Sequence, residues 1–204
     1  MKPKICVSGS AANNCGPGAF KKAHEVGAEI VKQGGVLVTG ATIGIPEWST
    51  RGAAAMAKKL RINGVSSIGL SPAGSKREHV KKYHLPTKHM DIIIYTGFDY
   101  SGRNLLLTRS ADAVIEICGR VGTLNEFTIA FEDKKPIGIL LGTGGAVEEI
   151  PHILMVGKRG SKNVVYDTDP ASLVKKVMKM VRSRERNIEQ AEKKIRSEKV
   201  TSPE

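Results

Sequence analysis

The chain of 204 residues is 40% hydrophobic and carries 22 glycines, enough for one compact domain with a sizeable core and a possible appendage. No stretch is apolar for long enough to cross a bilayer, and the opening MKPKICVSGS lacks the apolar core and cleavage site of a secretory signal. Three cysteines in unpatterned positions do not suggest a disulfide framework, so the expected compartment is cytoplasmic. The net charge of +12 favours an anionic partner without choosing among nucleotide, nucleic acid and acidic lipid.

In chain order, residues 5–7 read as a short buried strand that runs into Ser8-Gly9-Ser10. This junction lacks the G-x-G-x-x-G register, because no glycine follows until Gly16. Phe20, Ala23, Gly27, Ile30 and Val31 then mark one apolar helical face ending at Gln33-Gly34-Gly35. The second strand, 36–39, ends in Thr39-Gly40 instead of an acidic residue, which excludes the usual dinucleotide fingerprint. The following loop, with Gly40, Thr42 and Gly44, reads by itself as a plain turn. An alanine-rich helix, STRGAAAMAKKL, leads to a third strand at 65–70.

Residues 71–91, SPAGSKREHVKKYHLPTKHMD, form a long polar connection of the kind used as lids or binding loops. Its stretch 71–90 carries +4, and His79, His84 and His89 recur at a spacing that fits neither one helical face nor a zinc site, so they read as solvated. Strand 92–95 precedes a helix beginning DYSGRNLLL, with Asp99 or Ser101 as its cap and Arg103 in its first turn. Arg103 is either a surface arginine lying over NLLL or a guanidinium held above the sheet's carboxyl edge. Strand 113–117 and the junction CGRVGTLNEF follow, then a helix, then strands at 137–141 and 164–166. In the last helix Leu173, Val174, Val177, Met180 and Val181 form a face that should dock on the sheet. Beyond Arg182 the apolar positions thin to Ile188 and Ile195. Residues 171–204 carry +5, and with aromatics at only 4% no stacking platform for single-stranded nucleic acid is evident.

Alternating strands and helices imply a single doubly wound, Rossmann-like α/β domain with a mostly parallel seven-stranded sheet and helices on both faces, spanning 1–182, plus a basic helical extension at 183–204. In such a sheet ligands sit at the carboxyl ends of the strands. The fifth junction is the best candidate there. Gly119 and Gly122 let backbone approach a ligand, and the N–H groups of Val121 to Thr123 would point out of the helix start as a phosphate cradle. The Walker pattern fails, because no Lys-Ser/Thr follows the second glycine. Thr123-Leu-Asn-Glu126 also matches a capping box, so Glu126 is either a cap or a carboxylate with a job in the site. Cys118, at the lip, reads as a small buried hydrophobe.

The segment GRNLLLTRSADAVIEICGRVGTLNEFTIAFEDKKPIGILL resembles the central part of the Lonely Guy family, long mislabelled as lysine decarboxylases, and of the related molybdenum cofactor carrier proteins. Both belong to a wider superfamily that includes DNA processing protein A. The family's P-G-G-x-G-T-x-x-E aligns with 118–126: Gly119, Gly122, Thr123 and Glu126 match, Cys118 replaces proline and Arg120 replaces the second glycine. Arg103-Asn104 keeps only the arginine of the second signature, in the style of the carrier branch. The resemblance implies hydrolysis of the N-glycosidic bond of nucleoside 5′-monophosphates to base and ribose 5-phosphate. Glu126 and Arg103 would be catalytic. Gly119, Arg120, Val121, Gly122, Thr123 and Asn104, with Ser8, Gly9, Gly40, Thr42 and Gly44 from the neighbouring loops, would bind phosphate or nucleotide. It implies a homodimer, and no metal or cofactor. Arg120 in place of glycine supports the alternative, a non-catalytic nucleotide- or molybdenum-cofactor-binding carrier. Nucleic-acid binding through the basic tail ranks third.

Overall fold

The computed structural model describes residues 1–12 and 15–200, without side chains at 194 and 196–200. Seven strands form one sheet: β1 (Lys4–Gly9), β2 (Val36–Thr39), β3 (Ser67–Ser71), β4 (Ile92–Tyr95), β5 (Ala113–Ile117), β6 (Ile137–Leu140) and β7 (Val164–Asp167). Their order is β4-β3-β2-β1-β5-β6-β7, and every pairing is parallel, so the sheet is wholly rather than mostly parallel. The chain winds outward from β1 to β4, then returns to lay β5 on the other side of β1. The carboxyl ends of β1 and β5 are therefore the topological switch point.

Side-chain alternation divides the core into two layers. Ile5 and Val7 of β1, with Ala113, Ile115 and Ile117 of β5, face α1 (Ala19–Lys32), α2 (Ile45–Lys59) and α7 (Pro170–Val200). Cys6 and Val114 face the opposite layer, with α4 (Asp99–Ser110), α5 (Val121–Glu132) and α6 (Ile150–Val156). Helix α3 (Lys76–Lys81) lies between β3 and β4. A 3₁₀ turn at Gly145–Glu149 precedes α6, and sequence periodicity had assigned no element to this short segment.

Three expectations are corrected. The 71–91 connection is not bare loop: the Ser75 hydroxyl accepts from Glu78 N–H at 3.2 Å and nucleates α3. His79 is fully buried, held by Ser71 Oγ at 2.8 Å and the Pro86 carbonyl at 2.9 Å, while His84 and His89 are exposed. In α7 the docked face includes Met178 in place of Met180. Residues 183–200 continue α7, with mostly exposed side chains at 183–193 and 195; the end of the expected extension, 201–204, lies outside the described residues. Among the described residues no helix is long and apolar enough to cross a membrane.

Helices α1 and α2 meet backbone to backbone. A Cβ on Gly27 would collide with the Ser49 carbonyl oxygen, and one on Gly52 with the His24 carbonyl oxygen. Both atoms are helix backbone and cannot swing aside. Gly27→Ala is expected to destabilise the fold by about 1–3 kcal/mol in urea unfolding. An unchanged midpoint would show that the two helices do not approach this closely.

Candidate functional site

At the switch point a cavity of about 410 Å³ opens between the ends of β1, β2 and β5 and the starts of α4 and α5. Its floor is an ion pair. Arg103 Nη1 donates to Glu126 Oε1 at 2.9 Å, with the two residues only 6% and 5% exposed. The Ser8 hydroxyl donates to Glu126 Oε2. With its amide nitrogen turned towards the acceptors, Asn104 donates to Glu126 Oε1 at 2.7 Å and to the Tyr100 carbonyl at 2.9 Å. Burial lifts the Glu126 carboxyl above the usual glutamate range, and Arg103 and Ser8 pull it back.

Arg103 is neither a surface residue nor a first-turn residue. Helix α4 starts at Asp99 with no side-chain cap, which places Asp99 and Ser101 inside it and Arg103 in the second turn. Gly40 provides the space for the guanidinium, since a Cβ there would lie 2.5 Å from Arg103 Nη1. Glu126 is not half of a capping box either. Helix α5 begins at Val121 after Arg120 with no side-chain cap, so Thr123 is the third helical residue and Glu126 faces inward with Phe127.

Above the floor, the rim is the start of α5. The N–H groups of Thr123 and Leu124 turn back to the Arg120 carbonyl at 3.0 and 3.1 Å, so the Thr123 N–H leaves the expected cradle, although Thr123 itself lines the cavity. Val121 and Gly122 N–H, with no carbonyl one turn earlier in the helix, are the donors open to an anion. Arg120 and Gly122 line the cavity, and a Cβ on Gly122 would meet nothing within 4 Å. Gly119 does not reach the cavity. It takes φ 89° and is pressed against the Thr123 side chain, so its glycine serves the turn. The Val121 side chain is 80% exposed and also lies outside the lining.

Of the loops after β1 and β2, Ser8, Gly9, Gly40 and Thr42 line the cavity, whereas Gly44 does not. Gly44 adopts φ 74° and abuts the Ser10 carbonyl, which accepts Ile45 N–H at 2.9 Å. Ser10, Ala11 and Tyr100 also line it, and local motifs did not single them out. Asn13 and Asn14 of the first junction lie outside the described residues.

The cysteine reading is overturned at the lip: Cys15 and Cys118 form a disulfide with Cα atoms 5.7 Å apart. Their 103-residue separation hides a neighbourhood that exists because β1 and β5 are adjacent strands. Thr143 fastens the same two loops, its Oγ1 accepting from Cys118 N–H at 2.9 Å and its carbonyl from Gly16 N–H at 2.8 Å. Among the described residues no group of three His, Cys, Asp or Glu could hold a metal.

A wholly parallel doubly wound sheet with its cavity at the switch point defines a Rossmann-like α/β domain. Residues 2–174 match the SLOG cluster4 family, and the chain belongs to that family. The structure resembles a molybdenum cofactor binding protein from the phototrophic bacterium Rippkaea orientalis, with TM-score 0.70 and 25% identity over 89% of this chain and 98% of that one. It also resembles the molybdenum cofactor carrier protein of Chlamydomonas reinhardtii, with TM-score 0.68 and 24% identity over 88% and 98% of the two chains. An uncharacterized Archaeoglobus fulgidus protein is 29% identical over 129 residues, 63% of this chain and 75% of its own length. The solved structures of similar fold thus include the carrier branch named in the sequence resemblance.

Removing the guanidinium strands a buried carboxylate. Arg103→Met is expected to cost about 3–5 kcal/mol at neutral pH. The cost should shrink as pH falls, because Glu126 then takes up a proton and no longer needs the pair. Chemical denaturation at neutral and mildly acidic pH checks this, and a loss below about 1 kcal/mol at neutral pH would contradict a tightly buried pair.

Proposed function

We propose that the protein is a carrier that holds a small phosphorylated ligand, of nucleotide or molybdenum-cofactor type, in the switch-point cavity without cleaving it. The observation that carries this reading is the state of Glu126. Both its oxygens are engaged by protein donors, Oε1 by Arg103 and Asn104 and Oε2 by Ser8. A carboxylate that stabilises an oxocarbenium-like centre needs an oxygen facing the sugar. Glu126 is instead spent on the floor. The rim supplies what an anion needs: the Val121 and Gly122 N–H groups, the positive end of α5 and the Arg120 cation. The solved molybdenum cofactor binding and carrier proteins of similar fold support the same ligand class.

The hydrolase stays as the second reading because one fact favours it: Glu126 and Arg103 converge at one cavity. Equilibrium dialysis against guanosine and adenosine monophosphates and pterin phosphates, with chromatography for free base, separates the two. Retention of an intact ligand is expected, weakened about tenfold or more by Arg120→Ala through loss of a charge-assisted contact. Free base released by the wild type and abolished in Glu126→Ala would establish the hydrolase instead. Absence of binding by any of these compounds would remove the carrier.

A homodimer is proposed through the α4 side of the sheet edge. Ile92 and Ile94 of β4 register with Ile68 and Leu70 on that side and are exposed, as are Leu105 and Leu106 of α4. These side chains form an apolar surface with no cover in the single chain. Light scattering should give twice the chain mass for the wild type and the monomer mass for Leu106→Glu. A monomeric wild type would remove the interface.

A further inference from the structure

Beneath the cavity floor, the central strand β5 carries a second carboxylate, Glu116. Strand alternation puts Cys6 and Ser8 of β1 on the same face as Val114 and Glu116 of β5, and Ser8 stands in register with Glu116. Glu116 is 0% exposed, yet neither of its oxygens accepts a hydrogen bond among the described residues. A buried carboxylate with no donor is among the costliest arrangements a core can hold. A neutral carboxylic acid in the same place is not, because it needs only one acceptor. Ser8 offers one. Its single proton is committed to Glu126, which leaves its oxygen lone pairs for a donor.

The surrounding charges place the proton the same way. Burial, and then the charge of Glu126, push the Glu116 carboxyl well above the glutamate range; the Ser8 hydroxyl beside it opposes this least, since its proton is directed to Glu126 and no hydrogen bond to Glu116 is formed. Glu126 is lifted by burial too, but Arg103 and Ser8 pull it back. Two acids in one layer thus have environments that push them apart. From the packed elements, the other titratable group is Cys6 on β1, whose thiol is raised by burial and by both glutamates and so stays neutral. The register partner on β6 is the apolar Ile139. Helix α4 contributes Arg103, already bonded to Glu126, and α5 contributes Glu126 itself.

We propose that Glu116 is a positioning residue of the cavity: as the neutral acid it donates to Ser8 Oγ, which fixes the Ser8 hydroxyl on Glu126 and makes a one-way chain, Glu116 to Ser8 to Glu126, that ends on the Glu126 carboxylate, whose other oxygen accepts from Arg103. The floor then carries one cation and one anion and is neutral overall. Ionisation of Glu116 would give it a net negative charge under the anion seat. The chain is inferred from the register of Ser8 with Glu116 and from the unpartnered Glu116 carboxyl, whereas its consequence for anions rests on the ligand reading above.

Carbon NMR of glutamate carboxyls labelled in the full-length protein tests the chain. The signal lost in Glu116→Gln should lie at the protonated position at neutral pH. Glu116→Leu, which removes the donor, should raise the titration of Glu126, whereas the Gln amide still donates to Ser8 and should leave it in place. Both variants suit the apolar strand. A Glu116 that titrates with the exposed glutamates, or a Glu126 that responds alike to both substitutions, overturns the proposal. Sulfate, whose charge is constant over this range, probes the consequence by calorimetry. Its affinity should fall as pH rises through the Glu116 ionisation, by at most about tenfold per pH unit for one linked proton, and Glu116→Gln should abolish that fall. A fall of equal size in Glu116→Gln overturns the charge argument. Carboxyl signals as expected with no sulfate bound at any pH would sustain the chain and sink the ligand site instead.

Discussion

A guanidinium and a carboxylate buried together only just compensate for the water they give up, and only when every remaining donor and acceptor is also met. The pair of Arg103 and Glu126 meets that condition through Ser8 and Asn104, with Arg103 Nε as the exception. Much of the local structure exists to make it possible. Gly40 has no side chain because the guanidinium fills that space. Helix α4 is placed so that its second turn, not its first, reaches over the β2 end. Helix α5 presents Glu126 inward beside Phe127, so the same helix turn that packs the core also supplies the floor of the cavity.

Around this floor three loops are fastened to one another rather than left to move separately. The disulfide from Cys15 to Cys118 joins the loops after β1 and β5, and Thr143, after β6, bonds to both. Gly145 continues the contact, since a Cβ there would strike the Gly119 carbonyl. On the proposed reading, an anion at the start of α5 would meet loops already joined at Cys15, Gly16, Cys118 and Thr143, which favours retention over repeated opening and release. Belonging to the SLOG cluster4 family and resembling molybdenum cofactor carriers in fold fit a cavity built in this way.

How much of this was legible in the sequence follows from the range of each signal. The strands at 36–39, 92–95 and 113–117 were read to the residue, because an apolar run bounded by glycines or polar residues is a local pattern. The meeting of Arg103 and Glu126 at one cavity followed from the strand-end rule together with the family motif. What local reading missed depends on neighbours far along the chain. The capping box reading follows from the spacing of Thr123 and Glu126, but tertiary packing begins the helix three residues earlier, at Val121 with Arg120 as its N-cap. Gly119 and Gly44 looked like ligand glycines and are turn glycines, because their close neighbours are the Thr123 side chain and the Ser10 carbonyl. The cysteine pair and the buried His79 were invisible for the same reason. Glu116 left only one trace, a charged residue inside the run AVIEI, and its meaning appears only when β1 is laid beside β5.

The most direct test is a crystal structure grown with guanosine monophosphate or a pterin phosphate. An intact ligand is expected, with its phosphorus over the Val121 and Gly122 amides and within reach of Arg120, and with Glu126 still bonded to Arg103. Electron density for ribose 5-phosphate, with Glu126 swung away from Arg103 towards the sugar, would contradict the reading of that carboxylate as a fixed floor.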